Sequence, residues 1–188
     1  GYDGHKGKGY QVQVAESYNT SEETNTLNLI TSVIVEPAHK SDAHALVPLI
    51  ESTTELGLKP KEVTVDSLYG SDENCEKAKT MGVEVVSPVM GKLGDGSVPL
   101  TEFTMNSENE ITSCPEGCAP LKTRSKDDNH SALFSKKTCR SCSRKKTCPT
   151  MPGKKGRYLR YDDKAIRLAL RRAQEDTPEF RDRYRFRA

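Results

Sequence analysis

From Tyr10 to Val14 apolar and polar residues alternate, with Tyr10, Val12 and Val14 on one side and Gln11 and Gln13 on the other. A period of two predicts a half-buried strand. Residues 17–26 are polar and turn-rich and read as a hairpin loop. Residues 27–36 read as the partner strand. After Pro37 the period lengthens: Leu46, Leu49, Ile50 and Leu56 fall at roughly helical spacing, with Ser41 or Asp42 as the cap and Gly57 as the stop. An interior proline costs about 3 kcal/mol, so this helix either starts near Val47 or bends at Pro48. Residues 62–66 form a short strand with Val63 and Val65 inward. A second helix follows, capped by Ser71, with Asp72 and Glu73 at its positive end, Lys77 and Lys79 at its negative end, and Gly82 after it. Residues 83–89 are again a strand. The predicted order is β-β-α-β-α-β, an α/β arrangement around a mixed sheet.

Beyond it lie a glycine-rich loop (90–100), a cysteine-rich segment (114–148) with little helical periodicity, and two helices. The first of these carries Ile166 and Leu170 four apart. The second is capped by Thr177, with Pro178 at its first position. With 34% hydrophobic and 30% charged residues in 188, a core of modest size is expected. No apolar run reaches the roughly 18 residues of a membrane span, and no export signal opens the chain. No membrane partner is therefore expected. The net charge of +2 says little. Its distribution says more, because residues 154–187 hold twelve Lys or Arg against six Asp or Glu. Such a surface fits a polyanion such as nucleic acid, or else a solvated helix face of mixed charge. The chain starts without methionine and stops without a helix-ending residue, so a fragment of a longer protein is expected.

Two features carry candidate chemistry. Asp66 leaves the end of an apolar strand, where the functional crevice of open α/β sheets lies. A lone carboxylate there either caps the following turn or binds a hard cation such as Mg²⁺. Five of the six cysteines, Cys114, Cys118, Cys139, Cys142 and Cys148, are spaced C-x3-C, x20, C-x2-C, x5, C. Paired thiols at such intervals can enclose a structural Zn²⁺, four of these five sufficing. Free reduced thiols, and less readily disulfides, remain open. The stretches KTR (122–124) and RKK (144–146) are interleaved with this segment and make DNA contact plausible, with Arg144, Lys145 and Lys146 as candidate contacts, unless these charges only solubilise a small metal knuckle. Cys75 reads as a core residue. The stretch GHKGKG at 4–9 matches neither glycine-rich phosphate motif, although Lys6 and Lys8 are in a position to meet DNA phosphates. The four histidines are scattered and lack ligand spacing. On the last helix Phe180 and Tyr184 are four apart, while Arg181 and Arg185 are candidate contacts to the DNA backbone.

The stretches GHKGKGYQVQVAE, LITSVIVEPAHKSDAHALVPLIE, VDSLYGSDEN and GVEVVSPVMGK, in that order, resemble the catalytic core of bacterial insertion-sequence transposases of the DDE type. The closest resemblance is to the subgroup with a cysteine-rich insertion. It implies a ribonuclease-H-like mixed sheet, here incomplete with its first strand missing, a small cysteine-rich insertion and C-terminal helices. The implied divisions are a partial core over 1–92, the insertion over 93–153 and basic helices over 154–188 that lead to a glutamate helix. Asp66 would be the second catalytic aspartate. The first aspartate and the glutamate are expected outside the chain, since neither Asp3 nor Glu179 matches a family position. The family tends to carry cysteines at the positions of Cys114 and Cys148, and histidine often stands at that of Cys118. The implied activity is Mg²⁺- or Mn²⁺-dependent DNA cleavage and strand transfer, in which two metal ions about 4 Å apart clamp the attacking and leaving oxygens. The chain by itself is expected to be inactive. Implied partners are the transposon ends and target DNA, in a homodimer or larger assembly, in the bacterial cytoplasm at the nucleoid. The alternative is a non-catalytic DNA-binding zinc-knuckle module of a decayed or domesticated element.

Overall fold

The computed structural model describes residues 9–18, 27–91, 93–94 and 96–187. Backbone contacts divide the chain into two units, Gly1–Met90 with Glu175–Ala188, and Gly91–Gln174.

In the first unit Tyr10–Glu16 (β1) pairs antiparallel with Ile30–Pro37 (β2), placing Val12 opposite Val35 and Val14 opposite Val33. A single 3-10 turn over Asp42–His44 leads into the helix Leu46–Glu55 (α1). Pro48 thus falls in the first helical turn, where no backbone N–H is needed for an intrahelical bond, and it costs little. Neither Ser41 nor Asp42 caps α1. Ala45 holds that position without a side-chain bond, and Asp42 Oδ1 instead accepts from Gln13 Nε2 at 2.8 Å. Gly57, at φ 76°, ends the helix.

Glu62–Thr64 (β3) and Glu84–Val86 (β4) pair in parallel, Val63 opposite Val85. A parallel pair needs a crossover, and the helix Asp72–Thr80 (α2) supplies it, with Ser71 Oγ accepting from Asn74 N at 3.2 Å. Leu46, Ile50, Ala78 and Val83 form the core of this unit, with Val63, Val65 and Tyr69 against them.

Among the described residues no backbone ladder joins β1–β2 to β3–β4, so the mixed sheet exists as two separate pairs. Side chains bridge them instead. Tyr18 Oη donates to Glu62 Oε1 at 2.8 Å, and Tyr69 Oη donates to Gln13 Oε1. The hairpin buries the face that carries Gln13. Gln13 is 6% exposed, Ser32 7% and Glu36 8%, whereas Val12 and Val14 are 57% and 52% exposed. The polar side is the buried one because its groups are paired: Gln11 Nε2 with Glu36 Oε1 at 3.0 Å, Gln13 with Asp42, and Ser32 with Ser52 at 3.0 Å.

The second unit, which contains the cysteine-rich insertion expected over 93–153, has an apolar core of its own. Thr104–Met105 (β5) and Ile111–Ser113 (β6) form a short antiparallel pair. Lys122–Lys126 (β7), Asn129–Phe134 (β8), Met151–Pro152 (β9) and Arg157–Asp162 (β10) make a sheet in the order β7-β8-β10-β9. A short helix, Lys136–Arg140 (α3), follows β8. Val98, Phe103, Ile111, Ala132, Phe134, Leu159 and Tyr161 are buried together. The expected boundary at 153 falls between β9 and β10, which pair with each other.

A polar network closes this core. His130 Nε2 lies 2.9 Å from Asp163 Oδ1 and its Nδ1 lies 3.0 Å from Ser125 Oγ. The hydrogen bond from His130 is the main reason the Asp163 carboxyl is held below its ordinary range. Asp163–Glu175 (α4) leaves the sheet here, with Asp162 Oδ1 accepting from Ala165 N at 2.7 Å. Of its expected apolar pair, Ile166 packs on the core and Leu170 is exposed.

Gly156 enters β10 against the end of β8. A Cβ there would lie 2.2 Å from the Phe134 carbonyl oxygen and 2.7 Å from Leu133 Cδ1. Because the nearer obstacle is backbone, Gly156→Ala is expected to cost about 1–3 kcal/mol. A lowered urea midpoint at unchanged slope would check this, and an unchanged midpoint would refute it.

The chain ends in Pro178–Tyr184 (α5), capped by Thr177 Oγ1 accepting from Phe180 N at 3.2 Å. Phe180 and Tyr184 stack at 5.4 Å between ring centres, as their spacing predicts. Arg183 holds α5 in the first unit through Glu62 Oε2 at 2.5 Å and Glu84 Oε1 at 2.8 Å. These contacts hold the Arg183 pKa above its ordinary value, the hydrogen bond to Glu62 contributing most.

Candidate active site

Asp66 follows β3 after Val65, whose N–H still bonds the Val86 carbonyl at 3.0 Å. Its two carboxylate oxygens do different work. Oδ1 accepts from Leu68 N at 2.9 Å and Tyr69 N at 3.4 Å, closing the turn. Oδ2 faces Arg187 Nη2 at 3.4 Å, and 36% of the side chain is exposed. The turn-capping and metal-binding readings of this residue are therefore compatible, because one oxygen serves the turn and the other already faces a cation, Arg187.

Neighbouring polar groups fix this turn. Asn74 Nδ2 donates to the Tyr69 carbonyl at 2.7 Å and to the Ala43 carbonyl at 2.6 Å. The Tyr69 hydroxyl reaches Gln13, which holds Asp42. Burial pushes the Tyr69 phenol up first, and the charges of Asp42, Asp66 and Glu36 push it further, against Arg187. Four acidic or basic groups thus act on one ring, three of them carboxylates. No group of three or more His, Cys, Asp or Glu side chains among the described residues is placed to hold a metal ion. Asp66 fits as one ligand of a cation that keeps most of its waters, as Mg²⁺ does.

The second unit carries the five spaced thiols, although among the described residues no three of them are grouped closely enough to hold a metal ion. Cys114 N donates to the Cys118 carbonyl at 2.9 Å, which closes the C-x3-C loop. Partial desolvation, then the charge of Cys114 and its hydrogen bond, push the Cys118 thiol up, with Cys142 adding to it. Burial pushes Cys139 up as well, followed by Cys148 on the same side of the balance. Cys114, Cys139 and Cys148 also pack against the apolar core. All six cysteines are unbridged, so no disulfide forms here. Cys75 stands apart, half-buried, with its Sγ 3.8 Å from the Gly70 carbonyl.

A family model described as the transposase DDE domain matches residues 1–160. The chain belongs to that family. No curated protein and no solved structure matched. A transposase DDE domain accounts for the mixed α/β order with its small sheets and C-terminal helices, which is consistent with a ribonuclease-H-like domain. Family membership also makes the full-length protein an enzyme of phosphoryl transfer on DNA, and favours that reading over a non-catalytic module. Among the described residues no helix is long and apolar enough to cross a membrane.

The expected DNA contacts of this transposase domain differ in their surroundings. Lys6 and Lys8 lie outside the described residues. Both terminal nitrogens of Arg144 are held by Glu102, one of them at 2.9 Å. Lys145, Lys146 and Arg181 are exposed. Arg185 pairs with Asp182 at 3.2 Å and lies 4.8 Å over the Phe186 ring. Sequence reasoning did not anticipate Gln13, Asp42 and Arg187 beside Asp66. The available signal was a glutamine held at every second position of a strand, which marks a polar face that must find partners.

Proposed function

We propose that this chain supplies the second catalytic aspartate, Asp66, and a zinc-bearing insertion to an insertion-sequence transposase that cleaves and rejoins DNA in a metal-dependent reaction. The observation that carries the reading is the division of labour at Asp66 within a family-matched chain: Oδ1 anchors the turn and Oδ2 is left to a cationic partner, Arg187. Divalent metal, Mg²⁺ or Mn²⁺, when bound supplies Lewis-acid stabilisation of the attacking and leaving oxygens at phosphorus. Asp66 would hold it through Oδ2, displacing Arg187. Asn74, Tyr69 and Gln13 keep the carboxylate's orientation by fixing the turn that carries it. Asp66 by itself would hold a hydrated Mg²⁺ weakly, and further carboxylates would have to complete the site.

Four of Cys114, Cys118, Cys139, Cys142 and Cys148 would hold a structural Zn²⁺, for which thiolates are the preferred ligands. Support comes from the closed Cys114–Cys118 loop and from the five thiols lying on one unit. Lys6, Lys8, Lys145, Lys146, Arg181 and Arg185 would meet DNA phosphates, whereas Arg144 would first have to leave Glu102. The assembly is a homodimer or larger, on paired element ends, at the bacterial nucleoid.

The test is DNA cleavage by the complete transposase on a duplex carrying the element's ends. Activity in Mg²⁺, its loss in excess EDTA and its return with added Mg²⁺ or Mn²⁺ are expected. Cleavage that persists unchanged in EDTA would overturn the metal-dependent reading.

A further inference from the structure

The sheet of the second unit has one face committed to the core and one that is not. His130, Ala132 and Phe134 of β8 and Leu159 and Tyr161 of β10 are buried. Side chains alternate along a strand, so Ser131, Leu133, Tyr158 and Arg160 take the opposite face. The register then aligns charge across strands. Arg124 is opposite Ser131, and Ser131 is opposite Arg160, giving one row of Arg, Ser and Arg over three strands. One row away Lys122 stands opposite Leu133, which stands opposite Tyr158. On the other side Lys126 stands opposite Asn129, which stands opposite Asp162.

Four cations therefore share this face with one carboxylate. That carboxylate is engaged elsewhere, since Asp162 caps α4. Among the described residues none of Lys122, Arg124, Lys126 and Arg160 forms an ion pair, in contrast to Arg144 and Arg183. Uncompensated like charges gathered on one sheet face weaken a fold, so the arrangement points to an anion supplied from outside. Its shape is that of a polyanion. Along β7 the cations recur every two residues, about 6.7 Å, and Arg160 lies two strands over, about 9.6 Å from Arg124. The surface is an array, too extended for one phosphate. The Arg160 guanidinium sits 5.6 Å over the half-buried Tyr158 ring, an aromatic and cationic pairing that suits nucleic acid. Arg124, Lys126, Ser131 and Arg160 also line an open recess at this end of the sheet.

We propose that the outer face of the β7-β8-β10 sheet, through Lys122, Arg124, Lys126 and Arg160, is a second DNA-binding surface that grips the phosphate backbone without reading sequence. It rests on the transposase reading only for the presence of DNA. It does not include Asp66, and of the basic residues that the sequence pointed to it takes in only Lys122 and Arg124, to which the register adds Lys126 and Arg160.

The experiment titrates the complete transposase with a labelled random-sequence duplex over a range of salt. The variant is Arg124→Gln, Lys126→Gln, Arg160→Gln. The control is Lys59→Gln, Lys61→Gln, Lys79→Gln, three exposed lysines of the other unit with the same loss of charge. Each phosphate contact contributes about 0.9 to the slope of log K against log salt. The sheet variant is thus expected to lower the slope by about 2.7 and affinity by about 100-fold near 0.1 M salt. The control should move both far less, and all three proteins should melt alike. Equal effects of variant and control would overturn the surface while leaving DNA binding intact. If the wild type binds DNA without salt dependence, both this inference and the DNA-directed reading fall. If the variant instead loses binding to vesicles of anionic lipid with DNA affinity unchanged, the face belongs to a membrane and the proposal fails.

Discussion

Asp66→Asn in the complete transposase is expected to lower DNA cleavage and strand transfer by about 10³-fold or more while leaving the melting temperature almost unchanged. The substitution is chosen for the two oxygens of this residue. Asparagine keeps Oδ1, which receives the Leu68 and Tyr69 N–H groups at 2.9 and 3.4 Å. It replaces Oδ2, the oxygen that faces Arg187, with an amide nitrogen that cannot bind a cation. A metal ion contributes several kcal/mol of charge stabilisation at the transition state, and each 1.36 kcal/mol is tenfold in rate. Asp66→Ala removes both oxygens, so it should add a stability loss of about 1 kcal/mol from the unmade turn bonds to the same loss of activity. Single-turnover cleavage beside thermal melts separates the two effects. An asparagine variant that keeps wild-type activity would reduce Asp66 to a turn cap and remove the central residue of the proposed site.

The second large effect concerns the thiols. Purified under reducing conditions, the protein is expected to carry about one zinc per chain, and Cys139→Ser with Cys142→Ser is expected to lose it. Structural zinc in finger peptides is worth roughly 10–16 kcal/mol, because those peptides have little else to fold around. Here the second unit also buries Phe103, Ile111, Phe134 and Leu159. Metal loss should therefore weaken the unit without abolishing it, by about 2 kcal/mol or more, equivalent to roughly 8 °C or more for a unit of this size. Serine substitution alone also disturbs packing, since Cys139 touches the apolar core. A chelator distinguishes the causes: it should lower the melting temperature of the wild type and leave that of the serine variant unmoved. Elemental analysis without zinc, together with a chelator that changes nothing, would leave these residues as packed free thiols.

The order β-β-α-β-α-β was legible because each of its elements carries a local signal. Strands have a period of two, helices have caps, and both helices end at a glycine that adopts positive φ: Gly57 at 76° and Gly82 at 73°. Asp66 was legible for the same reason, as a carboxylate at the exit of a short apolar strand. The four-stranded sheet was not. Lys122–Lys126 contains no apolar residue at all, and Met151–Pro152 is two residues long, so neither strand has a pattern to read. Their identity comes from pairing with the strands that follow them, β7 with β8 and β9 with β10, rather than from a pattern of their own.

Local sequence thus determined the elements of the first unit, the candidate catalytic aspartate and the spacing of the thiols, since each depends on residues a few positions apart. Tertiary structure decided which side of the hairpin is buried, because alternation distinguishes two faces without saying which one finds partners. It also decided that Arg144 is spent on Glu102, 42 residues away, while Arg124 and Arg160 stand in one row with no carboxylate against them. A charge is committed or available according to what lies across from it, and only the folded chain brings distant residues opposite one another.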